Sequence, residues 1–202
     1  MEYNNIGAHV STLQYLKELK ILNLKGNDFS PHTDILHNTL CSLDKLVTLN
    51  VSNTNIGYDI TILQSLSRLA TLNARTLPGI SVRSLESLSG LTELDISSNS
   101  HFNIRDVRRL RFFTALTSLG LADTHIITAN PQSVDLRISL RGLSRLTFLN
   151  IAFSKPIPQL FTSYPIWSKL PLPSLKTVIA SSSNIRTDLL EELRKRGIQV
   201  LL

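Results

Sequence analysis

The chain of 202 residues holds one cysteine, one methionine and one tryptophan, and 6% of it is aromatic. A lone thiol, Cys41, excludes an intramolecular disulfide framework and a cysteine-rich zinc site. No apolar run approaches the roughly 18 residues that a membrane-spanning helix needs. The opening Met1-Glu-Tyr-Asn-Asn has neither the basic flank nor the apolar stretch of a secretion signal, so a cytoplasmic or nuclear location is expected.

Catalytic patterns are missing as well. Neither GxxxxGK[ST] nor GxGxxG occurs, so no phosphate-cradling loop is indicated. His9, His32, His37, His101 and His125 make no HExxH and no pair at i, i+4. His101 and His125 hold comparable places in adjacent repeats, but no third ligand stands near them, and turn positions are the expected role. Cys41 lies among Leu40, Leu43 and Leu46, which suggests a buried structural thiol rather than a nucleophile. The Asn50-Val-Ser52 sequon falls on an expected strand and is read as chance. No catalytic residue, metal or cofactor is expected, and the chain is read as a non-enzyme.

What the chain has in excess is leucine, 37 residues, within a 42% hydrophobic composition. Fixed-period self-similarity explains it. The phrase Leu-x-x-Leu-x-Leu-x-x-Asn recurs seven times with drift, its starts 22 to 30 residues apart. The copies begin at Leu19, Leu46, Leu69, Leu91, Leu116, Leu146 and Leu175. Leu-x-Leu alternation is the period of a short strand with one buried face. A polar residue three places later (Asn27, Thr54, Asn99, Thr124, Ser154, Ser183) can bond turn backbone that would otherwise be buried unpaired. Leu77 interrupts that column, so the third turn is expected to be rebuilt around Pro78 and Gly79. Between strands, leucines at every third place (Leu63, Leu66, Leu69; Leu85, Leu88, Leu91) predict short helical or 3₁₀ segments.

The expected fold class is α/β: one domain over 1–202, a solenoid of about seven repeats with a concave parallel sheet and a helical or 3₁₀ convex side. Residues 1–12 read as a weak amino-terminal cap. Asp188 and Glu191 read as a capping box opening a carboxy-terminal helix, and Ile198–Leu202 as a last strand, within a segment 186–202. That apolar edge strand needs a cover, which points to a fragment of a longer chain or to a docked partner.

Two stretches break the spacing. Residues 155–173 hold five of the eight prolines, together with Phe161, Tyr164 and Trp167. These aromatics are candidate loop contacts; the plain alternative is a local cover folded onto the solenoid. Residues 127–139 read as a surface loop.

The chain carries 21 Lys+Arg against 15 Asp+Glu, a net charge of +6. Arg105, Arg108, Arg109 and Arg111, with Arg137, Arg141 and Arg145, fall in convex segments and form a candidate basic patch for nucleic acid or a ribonucleoprotein. A solvated convex face is the competing reading, since no aromatic residue interleaves with these arginines.

If the register holds, the concave face carries Asn23, Asn50, Asn73, Asp95, Gly120, Asn150 and Ile179 in its middle column. The column before it includes Glu93 and Phe148 and the column after it Arg75, with Asp123 and Phe153 as further points on the same surface. Asn is a poor strand former, so its recurrence needs a reason. An amide ladder along the sheet is one, and a polar groove for a peptide or protein surface is another. Candidate partner-binding residues are Asn50, Asn73, Arg75, Glu93, Asp95, Asp123, Phe148, Asn150 and Phe153, with the two phenylalanines as anchors.

The seven LxxLxLxx[NTS] copies resemble the leucine-rich repeat superfamily across about residues 13–202. That resemblance implies a protein-interaction scaffold with no shared catalytic residues. The runs Leu91-Thr-Glu-Leu-Asp-Ile-Ser, Arg105-Asp-Val and Leu116-Thr-Ser-Leu-Gly-Leu-Ala-Asp-Thr124 also resemble the repeat region of the zyg-eleven and zer-one family. Those proteins are substrate receptors of cullin-2 ubiquitin ligases. In that family armadillo-like repeats follow and carry degron recognition, so this chain would supply the connecting solenoid alone.

Overall fold

The computed structural model describes residues 6–56, 60–99, 104–124, 140–153, 172–182 and 187–202. Among these residues eight strands form one open parallel sheet in strict chain order. They are β1 Ile21–Asn23, β2 Thr48–Asn50, β3 Thr71–Asn73, β4 Glu93–Asp95, β5 Ser118–Gly120, β6 Phe148–Asn150, β7 Thr177–Ile179 and β8 Gln199–Leu201. The repeated phrase marks the first seven, and the closing apolar segment supplies the eighth. Register never slips: Leu22, Leu49, Leu72, Leu94, Leu119, Leu149, Val178 and Val200 lie opposite one another in turn.

Each strand is three residues long, and its central residue from β1 to β7 is buried. A one-residue slip would expose all of these side chains at once, which pins the register. The convex side is built from turns that return every third residue inward. The N–H groups of Leu43 and Leu46 bond the carbonyls of Leu40 and Leu43, and the same i to i+3 step links Leu63, Leu66 and Leu69. It recurs through Leu85, Leu88 and Leu91, through Leu110, Phe113 and Leu116, and through Leu140, Leu143 and Leu146. All of these side chains are buried.

Longer convex elements are α1 Thr33–Cys41, α2 Ile104–Arg109 and α3 Thr187–Lys195, and 3₁₀ segments run over Gly7–Tyr15, Ile60–Ser65 and Val82–Leu85. The amino-terminal 3₁₀ segment buries Val10 and Leu13 against the first repeat. The last helix begins at Thr187, one place before the expected cap; the Asp188 side chain lies outside the described residues. Gly197 ends it at φ 75°, the left-handed geometry that suits a helix stop. Among the described residues no helix is long and apolar enough to cross a membrane.

Cys41 departs from expectation: it is exposed, its thiol 3.5 Å from the Ser65 hydroxyl. The first convex segment is an α-helix, and α1 turns Leu36, Thr39 and Leu40 inward. Cys41 follows the buried Leu40 by one place, about 100° further round the helix, and falls outside the series Leu40, Leu43 and Leu46 that turns inward.

The turns after the strands follow one plan. Asn99 donates through Nδ2 to the carbonyls of Ile96 at 2.7 Å and Ala74 at 3.0 Å, and its Oδ1 accepts the Leu77 N–H at 2.8 Å. One buried amide thus serves its own turn and the preceding turn, which lacks a polar residue of its own. Asn27 bonds the Leu24 carbonyl at 2.8 Å and accepts the Ile6 N–H at 3.3 Å. Thr54 and Thr124 make the local half of this pattern, to the carbonyls of Val51 and Leu121. On the convex side the buried Asp106 carboxylate accepts the Ser81 hydroxyl and the Val82 N–H, each at 2.9 Å, tying the fourth repeat to the third. No buried side-chain nitrogen or oxygen among the described residues lacks a partner.

The residue just before each of these turn positions has positive φ: Gly26, Asn53, Thr76, Ser98, Asp123, Phe153 and Ser182. Glycine occupies the first site only. A β-branched Thr76 at φ 50° and a bulky Phe153 at φ 55° are unusual occupants of this region.

Two outcomes follow. Leu119→Ala, in the middle of the sheet, should cost about 2–5 kcal/mol in urea unfolding, whereas the exposed Ile21→Ala should stay within about 0.5 kcal/mol. Thr76→Gly should raise stability by about 0.5–1 kcal/mol, because the relieved left-handed strain exceeds the added entropy of the unfolded chain.

Candidate functional site

The open face of the sheet is set by the residues flanking each buried leucine. Glu93, Ser118 and Phe148 lie in one row across β4, β5 and β6, and Asp95, Gly120 and Asn150 in the next. The Asn and Asp residues of this middle column share one bond. The side-chain oxygen of Asn23 accepts the Lys25 N–H at 3.1 Å, that of Asn50 the Ser52 N–H at 3.0 Å, and that of Asn150 the Ala152 N–H at 3.1 Å. Asn73 and Asp95 do the same to Arg75 and Ser97 at 3.4 and 3.0 Å. The recurring bond is local to each repeat: a short polar side chain closes the chain's exit from the strand. That accounts for asparagine where strand propensity disfavours it. Asn73 additionally accepts the Ser52 hydroxyl from the neighbouring repeat.

Gly120 is the exception in the column. A β-carbon there would lie 2.4 Å from Asp95 Oδ1. The Asp95 carboxylate leans over β5 and occupies the vacated space. Its Oδ2 lies 3.5 Å from Arg75 Nη1, a long pair between partly exposed groups. Glu93 is exposed and makes no ion pair among the described residues.

Two adjoining depressions result. The first, about 230 Å³, is lined by Asn73, Glu93, Asp95, Ser118, Gly120, Phe148 and Asn150 with neighbouring backbone. The second, about 420 Å³, brings together Arg75, Asp123, Asn150 and Phe153. Asn150 belongs to both, so they form one continuous surface. Phe148 is half-buried, and Phe153 is 55% exposed on its left-handed turn. Of the candidate residues, Asn50 lines neither depression. The sequence columns contained Gly120 without revealing its role; the signal was a glycine breaking a run of Asn and Asp.

Among the described residues the lowered carboxyls lie elsewhere. Lys45, bonded to Glu18, holds that carboxyl below the usual range, and the Ser30 N–H does the same for Asp28. Both precede β2.

The arginines are dispersed over the convex side. Arg105 and Arg108 are exposed on α2, and Arg141 and Arg145 are exposed in the following segment. Arg109 pairs with Glu86. The Arg111 guanidinium sits 4.8 Å above the exposed Phe112 ring, so an aromatic does accompany these arginines. Phe161, Tyr164 and Trp167, with Arg137, His101 and His125, lie outside the described residues. No group of three or more His, Cys, Asp or Glu among the described residues could hold a metal ion.

No family model and no curated protein matches the chain. Solved structures do match in fold. An internalin of Listeria monocytogenes superposes with TM-score 0.68 at 20% identity, covering 95% of this chain and 50% of that one. Internalin C2 of the same organism gives 0.60 at 22% identity, over 94% of this chain and 72% of that one. A leucine-rich repeat protein of Leptospira interrogans gives 0.60 at 18%, over 95% and 51%. The chain therefore spans about half the length of the first and third of these. With its unslipped parallel ladder, its leucine columns and these neighbours, the chain folds as a leucine-rich repeat solenoid.

Proposed function

We propose that the chain is a non-catalytic protein-interaction module that receives a partner segment or surface on the open face of the sheet between β3 and β6. One observation carries this reading: two adjoining depressions on a single face, each walled by a phenylalanine that the core does not use. Aromatic side chains held at a polar surface are the usual energetic anchors of protein interfaces. Phe153 adds to the argument, because a bulky residue at positive φ costs about 1–3 kcal/mol and tends to be retained where it serves a function. The proposed location is the cytoplasm or nucleus.

The narrower form of this reading is a substrate-receptor component of a cullin-2 ubiquitin ligase. It rests on the runs Leu91–Ser97, Arg105–Val107 and Leu116–Thr124. A second reading is nucleic-acid binding through exposed Arg105, Arg108, Arg141 and Arg145, with Phe112 as a stacking surface. The pairing of Arg109 with Glu86 weakens it.

Affinity purification of wild type beside a Phe148→Ala/Phe153→Ala variant separates these readings. Partners held by wild type should weaken by about 2 kcal/mol or more in the variant. Equal recovery by both would place the contact elsewhere. Cullin and elongin subunits among the partners would support the receptor form, and their absence would remove it. A salt-sensitive gel shift with RNA or DNA would favour the second reading.

A further inference from the structure

Resting on the open-face reading, the geometry points to a specific partner chemistry. We infer that the open face takes an extended polypeptide segment that presents a lysine or arginine side chain to the trough between Glu93, Asp95 and Phe148. The segment seats an apolar side chain beside Phe153.

The trough comes from the order of side chains across three strands. On β5 the outward residues are Ser118 and Gly120, both small. On one side, β4 raises Glu93 and Asp95; on the other, β6 raises Phe148 and Asn150. Strands two apart are separated by about 9.5 Å. Over Gly120 the Asp95 carboxylate fills that gap, so the free width lies over Ser118, where one flat cationic group has Glu93 on one flank, the Phe148 ring on the other and the Asp95 carboxylate at its end. Both flanks favour a cation: carboxylate oxygens bond a guanidinium or ammonium, and a ring attracts it through its π-face.

Shape suits an extended segment. The trough alone is about 230 Å³, below the roughly 300–1,000 Å³ typical of small-molecule sites, and it runs on through Asn150 into the depression of about 420 Å³ beside Phe153. A single long side chain anchored by a larger partner fits the trough.

Local charge agrees. Across the two depressions stand Glu93, Asp95 and Asp123 against Arg75. The chain as a whole carries +6, but charges beyond about 8 Å are largely screened at physiological salt. A docked segment therefore meets the nearby carboxylates first. Arg75 is the internal stand-in, yet at 3.5 Å its contact with Asp95 is long, against about 2.7–2.9 Å for a strong charge-assisted bond. Among the described residues Oδ1 is engaged by the Ser97 N–H, and Oδ2 keeps only this long contact. Beyond Asn150, the exposed Phe153 ring supplies the apolar seat.

The test is a display library of random extended peptides selected on the full 202-residue chain. Selected peptides are then measured against wild type, Glu93→Gln, Glu93→Lys and Phe148→Ala. Glu93 is exposed and outside any described ion pair, so its variants should keep the wild-type melting temperature. Selected peptides should share a lysine or arginine near an apolar residue. Their affinity should fall severalfold with Glu93→Gln and at least about tenfold with Glu93→Lys. Peptides lost with Phe148→Ala yet unchanged by Glu93→Lys would overturn the charge assignment and leave the open-face reading standing. Peptides indifferent to all three variants, or no selected peptide at all, would overturn both.

Discussion

Everything in this fold depends on a bond that no repeat can make alone. The carbonyls of Lys20, Val47, Ala70, Thr92, Thr117 and Thr147 each accept two consecutive N–H groups from the next repeat. The second donor is the first residue of the following strand, so this contact starts each of β2 to β7 in register. At Thr92, Thr117 and Thr147 the side-chain hydroxyl adds a further bond to the preceding carbonyl, at 3.0–3.1 Å. Three-residue strands would not hold together otherwise. Stability is then a sum of repeats and their interfaces, with the leucine columns as the continuous apolar term.

That ladder divides the labour among residues. Inward positions are committed to packing, and the turns after the strands are committed to satisfying backbone. Asn27 and Asn99 show how far this goes, each bonding its own turn and a backbone N–H outside it. What is left to vary is the outward row on either side of the leucine column. There the chain sets carboxylates on β4, nothing bulky on β5 and an aromatic on β6. The proposed binding surface is thus a by-product of sheet order, and its precision comes from the rigid ladder beneath it.

The fold was legible because its signal is periodic. Leu-x-Leu fixes which face is buried, and the observed pairing matches the columns assigned within the strands, whereas Ser52, Ser97, Ala122 and Ala152 in the column after them are buried. Cys41 was misread from its leucine neighbours: it stands one place after Leu40 and two before Leu43, off the every-third-residue series that is buried. The asparagine column was visible, but its cause is an exit turn repeated in each repeat. The left-handed turn position was hidden because glycine marks only the first repeat, while Asn, Thr, Ser, Asp and Phe occupy the others. The trough was hidden for another reason: it depends on the Asp95 carboxylate folding over Gly120, a contact between residues 25 apart.

The central claim is that recognition occurs on the open face over β4 to β6. Backbone amide NMR of the isotope-labelled chain, titrated with a bound partner segment, tests it most directly. The account predicts shifts concentrated at Glu93, Asp95, Ser118, Gly120, Phe148 and Asn150, with α2 unmoved. Shifts concentrated on α2, around Arg105 and Arg108, with the β4–β6 rows unmoved, would contradict it.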